Sequence, residues 1–151
     1  MRYASLGTVI HATLRTEDLL AAFADELEYH VQRNAEEWCS DDGRVRRDQL
    51  LRLVGEAREI DPDDEDAPEL VNDMNDELCS FAPPYCYFGA TEGDGSDFGF
   101  WPSMESIEEL PRLEDCDRDA AKALGEDCIY VNDHGNVTVF GGDGSIMLEL
   151  V

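Results

Sequence analysis

Leu19, Leu20, Phe23, Leu27 and Val31 recur at the spacing of one helical face and predict a first helix over about 17–33. Thr16 stands where a hydroxyl caps a helix, with Glu17 and Asp18 in the first turn, where the helix dipole favours acids. A turn at Ser40-Asp41-Asp42-Gly43 precedes a second helix over about 45–59, whose apolar side is Val45, Leu50, Leu51, Val54 and Ala57. Leu70, Val71, Met74 and Leu78 mark a third helix over about 68–79, with Pro68 suited to its first position. Ahead of the helices, residues 5–14 are apolar and partly β-branched, a strand or an extended arm.

From residue 80 the pattern changes. Pro83-Pro84 breaks the chain, and aromatic residues flank a Gly93-Asp94-Gly95 turn, which predicts a hairpin. Ser103 and Pro111 bracket a short helix over about 103–110, and one further helical turn fits Ala120–Leu124. Three strand-like runs close the chain: Cys128–Asn132, Val137–Phe140 and Ser145–Leu150. Glycine-bearing connections separate them and predict an antiparallel meander. The expected fold is α+β, with about three N-terminal helices followed by a C-terminal antiparallel sheet of about five short strands. At 151 residues the chain reads as one domain, a helical part over 1–60 and an acidic, sheet-bearing part over 61–151.

Charge alters this picture most. The chain holds 36 acids against 11 lysines and arginines, a net of −25, where a small domain needs only about 2–8 charges to stay dispersed. Residues 1–58 are nearly balanced, with 11 acids and 8 bases, whereas residues 59–151 hold 25 acids and 3 bases. Such an excess destabilises the compact state by self-repulsion. It implies either a positively charged partner or a high-salt cell. It also disfavours direct binding to nucleic acid or to an anionic membrane. No apolar run approaches the ~20 residues of a membrane span, and the N-terminus lacks a signal-peptide core, so the expected compartment is the cytoplasm.

Candidate chemistry is sparse. Asp61, Asp63 and Glu65 alternate like the start of a calcium loop, but Asp66 stands where the loop needs glycine. No cysteine pair has zinc spacing, and His11, His30 and His134 fall on separate elements, His30 on a helix face and His134 in a tight turn. The five cysteines read as free thiols in a reducing compartment. Cys86, between Tyr85 and Tyr87, is the least implausible nucleophile, and no histidine is fixed beside it. GxSxG, Walker, GxGxxG and HExxH motifs are absent. The expectation is a protein that is not an enzyme and carries no cofactor and no metal. The aromatic run Tyr85, Tyr87, Phe88, Phe98, Phe100 and Trp101 reads as sheet core, with a binding hot spot as its functional alternative.

The acids themselves form the candidate site. Glu69, Asp73, Asp76 and Glu77 make a carboxylate row along the third helix. Asp61, Asp63, Asp64, Glu65 and Asp66 fill the linker before it. Glu92, Asp94 and Asp97 ring the hairpin turn, and Glu105, Glu108 and Glu109 lie on the short helix. Carboxylates held on rigid elements approximate the field of B-form DNA, which presents a charge about every 1.7 Å of axis. A protein built to grip phosphates would bind that surface instead.

The segments Pro84–Trp101 (PYCYFGA…GDGSDFGFW) and Val131–Val137 (VNDHGNV) resemble uncharacterised small proteins of bacteriophages and mobile elements. The resemblance covers roughly the C-terminal 70 residues. In size and charge the chain is similar to the phage-encoded DNA-mimic inhibitors, anti-CRISPR and antirestriction proteins. Those share acidity rather than motifs, so the resemblance transfers no individual residue. It implies a non-enzymatic inhibitor in the host cytoplasm, whose partner is a basic nucleic-acid-binding protein or complex of a bacterial host. An apolar helix face is able to support a homodimer. Two other readings stand beside this one: an ordinary protein of a salt-accumulating organism, and a metal-dependent enzyme using residues 85–101.

Overall fold

α1 (Thr16–Arg33) buries Leu19, Leu20, Phe23, Ala24, Leu27 and Val31, the face set by the apolar spacing. Its N-cap position is Arg15, not Thr16, and no side chain caps it. Thr13 acts one turn earlier: its hydroxyl donates to Asp18 at 2.6 Å and accepts from the Arg15 N–H. His30 lies on the inward side of the helix, 1% exposed, stacked on Phe81 with ring centres 5.1 Å apart and edge-on to Phe100. Its Nε2 pairs with Glu26 at 2.9 Å.

A 3₁₀ segment (Ala35–Cys39) leads into α2 (Asp41–Glu59). The expected turn at Ser40–Gly43 is the first turn of this helix. Ser40 caps it by accepting the Gly43 N–H at 3.0 Å, and Asp41 and Asp42 occupy the favourable end of the dipole. Leu50, Val54 and Ala57 are buried, whereas Val45 and Leu51 are exposed rather than part of the apolar side. α3 (Ala67–Cys79) starts with Pro68 in its first turn and buries Leu70, Met74 and Leu78.

β1 (Gly7–Ile10), β2 (Cys86–Thr91) and β3 (Asp94–Pro102) form a three-stranded sheet in the order β1-β3-β2. The hairpin turns at Glu92-Gly93, and Asp94 to Ser96 belong to β3 instead of the turn. β1 runs antiparallel to β3, with Gly7 opposite Phe100 and Thr8 opposite Gly99. A Cβ on Gly99 would overlap the Gly7 carbonyl, so only glycine admits this approach. Phe23 of α1 packs edge-on against Phe88 of β2, which meets Phe100 of β3, each pair 4.9 Å apart.

The remaining elements are α4 (Met104–Glu108), α5 (Arg118–Leu124) and the antiparallel meander β4 (Cys128–Val131), β5 (Val137–Phe140) and β6 (Ile146–Leu150). Ile107 of α4 packs on Ile129, Val139 and Leu148, while Ala121 of α5 packs on Cys128 and Phe140. In the β4–β5 turn Asn132 Oδ1 accepts from the His134 and Asn136 N–H groups, and Gly135 supplies a φ of +85°.

This computed structural model, which describes all 151 residues, is α+β with helices first, as the sequence predicts. The counts differ: five α-helices and six strands in two three-stranded sheets replace about three helices and one sheet of about five strands. The aromatic hairpin takes β1 as its third strand instead of extending the meander. Two compact units result, Met1–Ala82 with Tyr87–Trp101, and Pro83–Cys86 with Pro102–Val151. No helix is long and apolar enough to cross a membrane.

Candidate functional site

α2 and α3 are joined only by residues 60–66, and Arg46 near the start of α2 reaches Glu77 near the end of α3. The two helices therefore form an antiparallel hairpin. At its open end Arg46 grips Glu77 with both guanidinium nitrogens, one of them at 3.0 Å. At the linker end a groove of about 440 Å³ lies between the helices. Its floor is Ile60 and Leu70, and its walls carry Glu56 and Glu59 from α2 and Asp66, Glu69 and Asp73 from the other side. No basic residue lines it.

Two of these carboxylates sit where helix physics favours them. Asp66 and Glu69 lie at the N-terminal end of α3, facing the positive pole of its dipole. Glu56 and Glu59 lie in the last turn of α2, facing the negative pole, where each acid costs roughly 0.3–1 kcal/mol. Arg58 in the same turn supplies the cation this pole favours.

Of the linker acids only Asp66 lines the groove, and all of them are exposed. Asp61 accepts the Asp63 N–H and Asp64 accepts the Asp66 N–H, each at 3.0 Å. Two linker carboxylates therefore brace the loop backbone, leaving Asp63 and Glu65 turned to water. Asp76 is exposed on α3. Glu77 is not part of the free row, because Arg46 neutralises it.

The hairpin acids behave differently. Asp94 accepts from both the backbone N–H and the hydroxyl of Ser96, which hold its carboxyl below the usual range. Glu92 is exposed, while Asp97 is partly buried, with Oδ1 lacking a hydrogen-bond partner. Glu105, Glu108 and Glu109 are exposed on and just after α4, in the other unit. The structure thus brings Asp66, Glu69 and Asp73 together around the groove and adds Glu56 and Glu59, which sequence reasoning missed. A short connection between two amphipathic helices was the available signal, since it places the end of one beside the start of the next.

Five of the ten arginines are engaged in ion pairs, Arg46 among them. Arg44 pairs with Asp41, Arg47 with Asp48 and Arg15 with Glu17. Arg58 bridges Glu28 and Asp25 of α1, and the hydrogen bonds it donates to these carboxylates raise its pKa. From Glu59 to Pro111 the chain holds sixteen acids and no base.

Cys86 and the aromatic residues around it lie in and beside β2 and β3. Burial pushes the Cys86 thiol up to about 11, which leaves it protonated and weakly nucleophilic near neutrality. Tyr85 donates to Asp127 at 2.6 Å, and that hydrogen bond raises its pKa to about 12. Tyr87 donates to the Ala90 carbonyl and Trp101 to the Gly89 carbonyl. No group of three His, Cys, Asp or Glu side chains is arranged to hold a metal ion. The chain matches no protein-family model, no curated protein and no solved structure.

Proposed function

We propose that this protein is a non-enzymatic mimic of nucleic acid. It inhibits a bacterial DNA-binding defence complex, of the CRISPR or restriction type, by occupying its basic nucleic-acid-binding surface in the cytoplasm. The observation that carries this reading is the α2–α3 face, where five carboxylates surround one groove with no base among them. Two further facts support it. Glu56 and Glu59 stand against the dipole of their own helix, and the net charge of −25 far exceeds what solubility requires. A cationic groove shaped for phosphates gains the same counterion release from such a face as from DNA.

The test is a pull-down from a bacterial lysate at low and high salt, with short duplex DNA as competitor. A basic nucleic-acid-binding protein that is released by salt and by the duplex supports the proposal. Retention of partners that duplex DNA never displaces contradicts it. So does a protein that unfolds in dilute buffer and recovers only in molar salt, the behaviour of a salt-adapted chain.

A further inference from the structure

Arg44, Asp48, Arg52 and Glu56 follow one another along α2 at intervals of four residues, so they form one ridge with neighbours about 6 Å apart along the axis. All four are exposed, and their signs alternate. The ridge is not closed along its own helix: Arg44 turns back to Asp41, and Asp48 is held by its neighbour Arg47. Reversing the direction of such a row exchanges its signs. Laid antiparallel on itself about a two-fold axis beside Leu50, it sets Arg44 opposite Glu56 and Asp48 opposite Arg52, each pair occurring twice. Laid parallel, it sets every charge against its like. The same axis sets Val45 of one copy opposite Gly55 of the other. Val45 is 58% exposed on the solvent side of α2. Gly55 weakens the middle of a helix relative to alanine, and nothing in its own chain requires it, since a Cβ there meets no atom within 4 Å. A projecting side chain and a gap therefore coincide in the register that the charges select. Residues 1–58 hold 11 acids and 8 bases, so this part of the chain meets a second copy with the least repulsion.

We infer that the outward side of α2 is the interface of a homodimer, in which two copies pack this helix antiparallel along the ridge from Arg44 to Glu56. A two-fold interface must be self-complementary, with residue i meeting j and j meeting i, and this row meets that condition at every charged position. The contact is one helix on one helix with exposed ion pairs, so the dimer is a weak one. Its central residues, Asp48 and Arg52, lie outside the acidic groove, so the interface stands independently of the nucleic-acid mimicry proposed above.

The test is sedimentation equilibrium of the full chain at about 0.15 M sodium chloride, where repulsion between the copies is screened beyond about 8 Å while contact pairs persist. Wild type is expected to show a monomer–dimer equilibrium. Asp48→Arg sets two arginines face to face and Arg52→Asp sets two aspartates face to face, so each variant alone is expected to dimerise at least about tenfold more weakly. Mixing the two variants restores opposite charges at both central pairs, and so does Asp48→Arg/Arg52→Asp in a single chain. Both are expected to recover wild-type affinity within about threefold. Recovery on mixing separates a lost contact from a damaged fold, and circular dichroism is expected to show unchanged helix content in each single variant. A wild type that stays monomeric at millimolar concentration, a dimer that neither single variant weakens, or a loss that neither mixing nor the double exchange repairs each overturn the inference. No other partner is needed, so this result is separable from that of the lysate experiment.

Discussion

Arg46 and Glu77 lie 31 residues apart in sequence and form a two-pronged ion pair that pins the start of α2 to the end of α3. The pair is partly exposed, which limits its strength through solvent screening. Glu77→Gln is expected to cost about 1 kcal/mol, or about 2–4 °C in melting temperature for a chain of this size. Thermal unfolding monitored by circular dichroism checks it. Asp76→Asn, with no arginine partner, is expected to leave the melting temperature within about 1 °C. Charge reversal at Glu77 therefore tests the scaffold rather than a docking surface, and Asp73 and Asp76 are the α3 positions to vary.

The groove carries its repulsion in the folded state, so salt should relieve it. Wild type is expected to gain melting temperature steadily as sodium chloride rises from low to moderate concentration. Glu59→Gln removes one dipole-opposed charge and gains roughly 0.3–1 kcal/mol at low salt, a gain that fades as salt increases. A Glu59→Gln variant less stable than wild type at low salt would contradict this electrostatic picture.

Gly99 marks the closest approach of β1 to β3. Gly99→Ala pushes a methyl group into the Gly7 carbonyl, and the strands must separate. The expected cost is about 2–4 kcal/mol, read as loss of the cooperative transition at a lower denaturant concentration.

The Tyr85–Asp127 hydrogen bond sets a pH dependence at the alkaline end. Tyr85 titrates near 10.0 when unfolded and near about 12 when folded. Between those values the folded protein keeps a proton that the unfolded chain has released, so stability falls as pH rises through this window. In Tyr85→Phe that component disappears. Denaturant unfolding at several alkaline pH values should show the difference between wild type and Tyr85→Phe shrinking from pH 10 to about 12. A difference independent of pH would mean that the bond does not persist in solution.

Thiol reactivity should follow the burial of each cysteine. Cys39 and Cys116 are exposed and are expected to alkylate first in the native protein, while Cys86 reacts slowly until denaturant is added. Peptide mapping after timed alkylation distinguishes the sites. Cys86 labelling as fast as Cys39 would contradict its protonated, half-buried state.

The helical periodicity of α1 and α3 and the strand-like runs of β4–β6 were legible because each is written in residues close together along one element. The β1–β3 pairing was not, since it joins residues about ninety apart through two glycines that leave no side-chain pattern. Thr16 was misread as a cap because Thr13, three residues earlier, forms the bond to Asp18. The candidate site was half legible. The acids of α3 and the linker stand out by density, but Glu56 sits among arginines that mask it in a count of net charge, and Glu59 meets α3 only once the helices fold back on each other. Glu77 looked free for the converse reason: its cation lies on another helix.

The central claim is that position, not total charge, makes this surface bind. The direct measurement is how well the chain blocks its captured partner from binding duplex DNA. It compares Glu56→Gln/Glu59→Gln/Asp73→Asn with Glu36→Gln/Asp133→Asn/Glu149→Gln, two triple variants of equal net charge. The groove triple is expected to lose the block by about tenfold or more while the other retains it within about twofold. Equal loss in both, scaling with the charge removed, would contradict it.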